Sequence, residues 1–154
     1  MSYWDRIFAN KLPGSTTYDL WLEPFTEELC RTNAKPILDL GCGAGNNTLY
    51  LTEQGLRVIA CDLSNEALNR VSEQLPQVHT LRLDLVEPLP FTDASASAVV
   101  ADLCLHYFDW STTLQIVSEI KRVIMPGGLF LCRVNSVKDT AYGAGIGTEL
   151  EPSY

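Results

Sequence analysis

The chain has 154 residues, with 19 acids against 11 bases for a net charge of −8, and is 46% hydrophobic and 19% charged. That length suits one globular unit with a real core, and the acidic balance disfavours RNA, DNA and other polyanions, which are held mainly by clustered lysine and arginine. No apolar run approaches the roughly 18 residues of a membrane span. Residues Met1 to Asp5 lack the basic-then-apolar layout of a signal peptide, so a cytoplasmic protein without membrane partners is the expectation.

Residues 1–36 carry Tyr3, Trp4, Phe8, Tyr18, Trp21 and Phe25 at loosely helical spacing, which predicts an N-terminal helical cap. Residues 37–134 then alternate strand and helix, the mark of βαβ units and a parallel sheet, and residues 135–154 form a polar tail. All three belong to a single predicted domain.

The first predicted strand, Ile37 to Leu40, carries Asp39 and runs into Gly41-Cys42-Gly43-Ala44-Gly45. Glycine at alternate positions bends the chain sharply and lets a ligand touch bare backbone, so this G-x-G-x-G turn predicts a nucleotide-like cofactor. A helix follows from about Asn46 to Gln54 and stops at Gly55, a favourable residue just past a helix end. Arg57 to Asp62 reads as a second buried strand ending in an acid. A carboxylate there, roughly 20 residues beyond the glycine loop, can accept hydrogen bonds from ribose hydroxyls.

Ser64 is an N-cap residue for a helix that places Ala67, Leu68, Val71 and Leu75 inward and halts before Pro76. The third strand, Val78 to Leu83, ends in Asp84-Leu85, and residues 87–93 form an acidic, proline-bearing connector. Ala98 to Leu103 reads as the fourth strand, with Asp102 at its end, and leads into Cys104-Leu105-His106-Tyr107-Phe108. Ser111 is the predicted cap of a helix with Leu114, Val117, Ile120 and Ile124 as its inward stripe, and Lys121-Arg122 reads as a solvated face near its end. Met125 to Gly128 predicts a turn before a fifth strand, Leu129 to Val134. The tail is glycine-rich, with Gly143, Gly145 and Gly147 around Tyr142.

Right-handed crossovers fold such a series into a parallel α/β sheet with ligands along its carboxyl edge. Gly41, Asp62, Asp84 and Asp102 then share one rim. Cysteines 30, 42, 61, 104 and 132 form no C-x-x-C pair and fall mostly in apolar stretches, so buried free thiols are expected. Neither His79 nor His106 stands at ligand spacing from a cysteine, and no metal site is expected.

The first strand, its acid and the tight glycine loop resemble motif I of the class I S-adenosylmethionine-dependent methyltransferases. The acids closing the next strands, the segment after strand four and the Pro126-Gly127-Gly128 turn follow in that family's order over residues 37–134. The resemblance implies a doubly wound, Rossmann-like sheet of strand order 3-2-1-4-5, with S-adenosyl-L-methionine as cofactor and methyl transfer to a small-molecule acceptor. It implies contacts to the cofactor from Gly41, Cys42, Gly43 and Gly45 of the loop, from Asp62 and Leu63 at the ribose and ring, and from Asp84 and Leu85 at the adenine edge. Asp39 either approaches the methionine amino group or ties down the turn. Asp102 either faces the cofactor amine or caps the following turn. Asp102, His106 and Tyr107 stand where family members place acceptor-facing residues, with His106 as the candidate base. Tyr18 and Trp21 are the candidate acceptor-pocket residues of the N-terminal cap.

Departures from the family pattern keep other readings open. The family's last two strands have no counterpart after Val134, which leaves strand five as an apolar edge and points to a homodimer contact or to poor stability there. A non-catalytic cofactor-binding or dimerising module is one alternative on that ground. An NAD-dependent oxidoreductase is another: it shares Asp62, but its G-x-G-x-x-G loop wants a small residue where Asn46 stands, and it has no use for Asp84.

Overall fold

In the computed structural model, which describes residues 3–10, 16–136 and 138–140, five strands lie parallel in one sheet. They are β1 (Ile37–Leu40), β2 (Val58–Asp62), β3 (His79–Arg82), β4 (Ala96–Asp102) and β5 (Ile124–Arg133). Their order is β3-β2-β1-β4-β5, as the resemblance implies. The helices are α1 (Tyr3–Asn10), α2 (Thr26–Arg31), α3 (Asn46–Glu53), α4 (Asn65–Gln74) and α5 (Trp110–Val123). Most of the glycine-rich tail lies outside the described residues.

β1 sits at the centre with all four residues buried, because helices cover both faces of a parallel sheet. Side chains alternate between those faces. Leu38, Leu40, Val99 and Ala101 pack with Ile116, Ile120 and Val123 of α5. Ile37, Ala98 and Val100 pack on the other side with Leu22, Leu29, Tyr50 and Leu51. The register pairs Leu40 with Cys61 on one side and with Ala101 on the other, so β1, β2 and β4 end level. The chain winds one way from β1 to β3 and then crosses back to β4, which opens a crevice above the β1 and β4 tips.

Local chemistry sets the helix ends. Past α3, Gly55 takes φ +74° and donates its amide to the Thr52 carbonyl at 2.9 Å, while the Leu56 amide reaches the Leu51 carbonyl at 3.1 Å. This double closure satisfies two orphan carbonyls and brings Leu51 and Leu56 together in the core. At α4 the Ser64 Oγ accepts the Ala67 amide at 3.2 Å, as predicted. At α5 the cap is Asp109, not Ser111: the Asp109 carboxylate accepts the Thr112 amide at 2.7 Å, and the Ser111 hydroxyl merely donates to it. Helix periodicity tolerates either start, and the carboxylate is the stronger acceptor for helix amides. The buried stripe is accordingly Ile116, Ile120 and Val123, while Leu114 is half exposed.

Three other expectations are corrected. Arg122 is no free surface cation: its guanidinium donates to the Leu89 and Phe91 carbonyls at 3.0 and 2.8 Å, to Asp93 at 2.9 Å, and to both oxygens of Glu119. The fork of five N–H donors fits a loop rich in unpaired carbonyls and pins residues 87–93 onto α5. Strand β5 begins at Ile124, and Met125 to Gly128 form a bulge inside it, since Ala96 pairs with Ile124 and Ala98 already pairs with Leu129. Cys42 and Cys61 are buried as expected, but Cys30 and Cys132 are exposed because they lie on α2 and the outer β5 strand. No helix of the described residues is long and apolar enough to cross a membrane. Between α5 and β5 the exposed Phe130 lines an apolar trough with Val117, Met125 and Pro126, and Val134 further along is exposed as well.

The cap assignment is testable by urea unfolding. Asp109→Ala is expected to lower the midpoint clearly, whereas Ser111→Ala leaves it near the wild-type value. Equal effects would return the cap to Ser111.

Candidate functional site

The turn leaving β1 places Gly41, Gly43 and Gly45 at φ +67°, +53° and +86°, a left-handed region that side chains other than glycine rarely adopt. Space reinforces this. A Cβ on Gly41 would sit 2.7 Å from the Cys104 Cβ, and one on Gly45 would sit 2.9 Å from a Val71 methyl. Between them the Cys42 amide bonds the Cys61 carbonyl at 3.0 Å, and the Cys42 thiol packs against α4 with Leu68 and Val71. Gly43 faces outward: its nearest neighbour is the Phe8 ring of α1, 3.2 Å from where a Cβ would stand.

Asp62, at the end of β2, reaches across to this turn. Its Oδ2 accepts the Gly43 amide at 2.9 Å and its Oδ1 accepts the Ser64 amide at 2.8 Å, which leaves lone pairs on both oxygens for a further donor. Burial raises its pKa above the usual carboxylate range, and the amide bonds partly offset that rise. Asp5 of α1 comes to the same place, accepting the Ser64 hydroxyl at 2.8 Å. One tip further along, Asp84 folds the chain back by accepting the Val86 amide at 3.2 Å. Arg82 holds the Leu63 carbonyl at 3.1 Å.

These groups surround a cleft of about 300 Å³. Gly41, Gly43, Asp62, Leu63, Asp84 and Leu85 line it, as do Leu83, Leu103, Cys104, Tyr107 and Phe108. Trp4 and Phe8 of α1 also line it, and Trp4 meets the Tyr107 ring edge-on with centroids 4.9 Å apart. Leu103 holds φ +52°, a strained conformation for leucine, directly after Asp102. Flat apolar walls with two carboxylates and a bare backbone turn suit a planar base joined to a polyhydroxylated sugar.

Other predicted residues lie apart from the cleft. Tyr18 and Trp21 pack over α3, the Tyr18 hydroxyl bonding Glu53 and the Trp21 Nε1 donating to Asn47 at 2.9 Å. Trp4 and Phe8 are the N-terminal aromatics that line this cleft, and their i, i+4 spacing on α1 is the signal that could have found them. Asp102 is gripped by Arg133, whose Nε and Nη2 donate to its two oxygens at 2.7 and 2.8 Å, and by the Asn47 amide at 3.0 Å. His106 stacks near Tyr107, with ring centroids 4.3 Å apart, and its Nε2 is 3.4 Å from the Asn135 side chain. Burial lowers its pKa, favouring the neutral imidazole, and its buried Nδ1 has no partner among the described residues. The same residues hold no cluster with the makings of a metal site.

Asp39 lies beneath the loop, 1% exposed, with Oδ2 accepting the Thr48 hydroxyl at 2.5 Å and Oδ1 lacking any partner among the described residues. Burial pushes its carboxyl up to about 7. An orphaned buried carboxylate oxygen behind a backbone turn suits an ammonium group or a bridging water.

A family model described as a methyltransferase domain matches residues 38–132. An uncharacterized methyltransferase of Synechocystis is 36% identical over 104 residues, covering 68% of this chain and 49% of that protein. A probable S-adenosylmethionine-dependent methyltransferase of Mycolicibacterium smegmatis is 30% identical over 145 residues, covering 92% of this chain and 54% of that protein. The chain thus spans about half the length of these two relatives. Among solved structures, an S-adenosylmethionine-dependent methyltransferase from Mesorhizobium loti superposes with a TM-score of 0.63 at 25% identity, over 75% of this chain and 54% of that one.

Asp39 gives a pH prediction. Its folded-state pKa of about 7 exceeds the unfolded value, so its contribution to stability is full below about pH 4 and is lost as pH rises to about 7. Asp39→Asn removes that loss: relative to wild type, the variant's unfolding free energy gains on the order of 1 kcal/mol per pH unit across this window. Parallel urea curves at pH 5 and 7.5 would refute it.

Proposed function

This chain belongs to the class I S-adenosylmethionine-dependent methyltransferases, and we propose that it binds S-adenosyl-L-methionine in the cleft described above and transfers its methyl group to a small-molecule acceptor. The observation that carries this reading is the convergence of the Gly43 backbone and the open lone pairs of Asp62 with Asp84 on the next strand tip. Asp62 takes the ribose hydroxyls, Leu63 and Leu85 give apolar faces to the adenine, and Asp84 with the following backbone reads its edge. Gly41 and Gly43 let the main chain approach the methionine portion, and Cys42 and Gly45 keep the turn in shape. The amides opening α3, which have no side-chain cap at Gly45, receive the methionine carboxylate. Asp39 meets the methionine ammonium directly or through water.

When bound, the cofactor supplies a sulfonium-activated methyl group. The work of the chain is therefore to bind and aim an acceptor, and alignment of this kind is worth roughly 7 to 11 kcal/mol. Tyr107 and Leu103 form the acceptor side of the cleft, and His106, kept neutral by burial, is the candidate proton acceptor. Asp102 acts at second hand, through the groups that it orients. We read residues 37–134 as the cofactor-binding core and residues 1–36 as its cap, together one domain. The net charge of −8 supports a small acceptor over a nucleic acid.

A second reading, a cofactor-binding or dimerising module without turnover, draws on the edge of β5, which no strand pairs among the described residues, with Phe130 and Val134 exposed. The same edge is our candidate contact between two copies of the chain. Sedimentation should then show a dimer that Phe130→Lys dissociates, and a monomer at all concentrations would exclude the contact.

Calorimetric titration tests the main reading. Asp62→Ala should weaken S-adenosyl-L-methionine binding by about 1 to 3 kcal/mol, and Gly43→Val, which crowds Phe8 and strains the backbone, should weaken it further. NAD should give no heat. Wild-type affinity in a folded Asp62→Ala protein would remove the ribose role.

A further inference from the structure

Arg133 ends β5 beside Asp102 at the rim that carries the cleft, and its carbonyl accepts the amide of the cleft residue Leu103 at 2.9 Å. One edge of its guanidinium is locked: Nε and Nη2 meet both oxygens of Asp102, which is itself held by Asn47. The flat face is also fixed, with Cζ 4.6 Å from the centroid of the Trp21 ring, and the Trp21 Nε1 closes the circle by donating to Asn47. The remaining nitrogen, Nη1, donates to the exposed Asp19 at 2.7 Å.

The two carboxylates differ sharply in hold. The Asp102 side chain is 13% exposed and forked by two hydrogen bonds, whereas Asp19 is 60% exposed, touches Nη1 through Oδ2 alone while its Oδ1 accepts the Trp21 amide at a long 3.4 Å, and stands on a stretch with no regular structure. Exposed single contacts of that kind are worth little and exchange readily, while forked, shielded ones persist. A guanidinium anchored on one edge and stacked on an indole presents its other edge as a preset carboxylate receptor, and Asp19 demonstrates the ligand type that this edge takes. Asp102 already neutralises Arg133, so exchanging one outer carboxylate for another adds no net charge at that contact.

We propose that the Nη1 edge of Arg133 docks a carboxylate of the methyl acceptor, with Asp19 as an internal competitor that the acceptor displaces. The acceptor is then a small organic acid, and Arg133 is its specificity-determining residue. The proposal rests on the reading of the neighbouring cleft as the methyl-donor site, and it concerns recognition alone, with no added chemical step.

The probes are benzoate and its neutral counterpart benzamide. Each is titrated into the full chain with and without S-adenosylhomocysteine, following the Trp21 Nε1–H resonance. Benzoate should shift that resonance saturably, with benzamide weaker by about tenfold or more, as befits a charge-assisted contact. Asp19→Asn should tighten benzoate by about threefold, the worth of an exposed ion pair. Arg133→Gln should abolish its binding, with S-adenosylhomocysteine affinity held within about twofold. Equal binding of benzamide, or no tightening in Asp19→Asn, overturns the proposal even if Arg133→Gln does not fold. Uptake of S-adenosylhomocysteine without any benzoate response sinks the acceptor site alone, and a benzoate response without that uptake sinks the methyl-donor reading alone.

Discussion

The level ending of three adjacent strands is the constraint on which the site depends. Because Leu40 pairs with Cys61 and with Ala101 in one continuous ladder, the residues that follow each strand emerge at a common height. Hydrogen bonding then joins them sideways: the Asp62 carboxylate takes the Gly43 amide from the neighbouring turn. A one-residue slip in β2 would turn Asp62 to the opposite face and leave that amide without its acceptor. Buried main-chain groups are costly to strand, so register and site geometry are stabilised by the same bonds.

Much of this was legible in the chain itself. Glycine at alternate positions after the first strand and an acid closing the second marked the loop and Asp62 from local pattern, whereas the strand order and the reading of Asp84 came with the family resemblance. What was not legible depends on partners far apart in sequence. The fork between Asp102 and Arg133 and the seat of Trp21 on that guanidinium require β4, β5 and the N-terminal segment to be folded already. The same holds for Arg122, whose partners Leu89 and Phe91 belong to a loop with no periodic signal. Ser111 and Asp109 illustrate a different limit: both are cap-forming residues two positions apart, and only the geometry of the turn chooses between them.

The N-terminal region attaches to the sheet in two ways. Residues 3–10 lay aromatic rings over the glycine turn and tie to α4 through Arg70, which donates to the Phe8 carbonyl. Residues 16–21 run along the start of α3, where the Thr16 hydroxyl bonds the Ala44 carbonyl at 3.1 Å and Asn46 bonds the Thr17 carbonyl. The first attachment is largely apolar and the second largely polar. Only the first attachment reaches the cleft, where Trp4 and Phe8 supply lining rings, while the second fastens the chain to the glycine turn and the start of α3.

The grip of Arg122 on the carbonyls of Leu89 and Phe91 reaches beyond packing. Exposed polar connectors are ordinarily where a native chain is nicked, since a protease needs several residues to peel away from the body and extend into its active site. Here the anchored carbonyls and the buried Leu89 oppose that excursion. The stretch that looks most vulnerable on paper is thereby sheltered, and the lip of the cleft formed by Leu83 to Leu85 inherits a stiff neighbour.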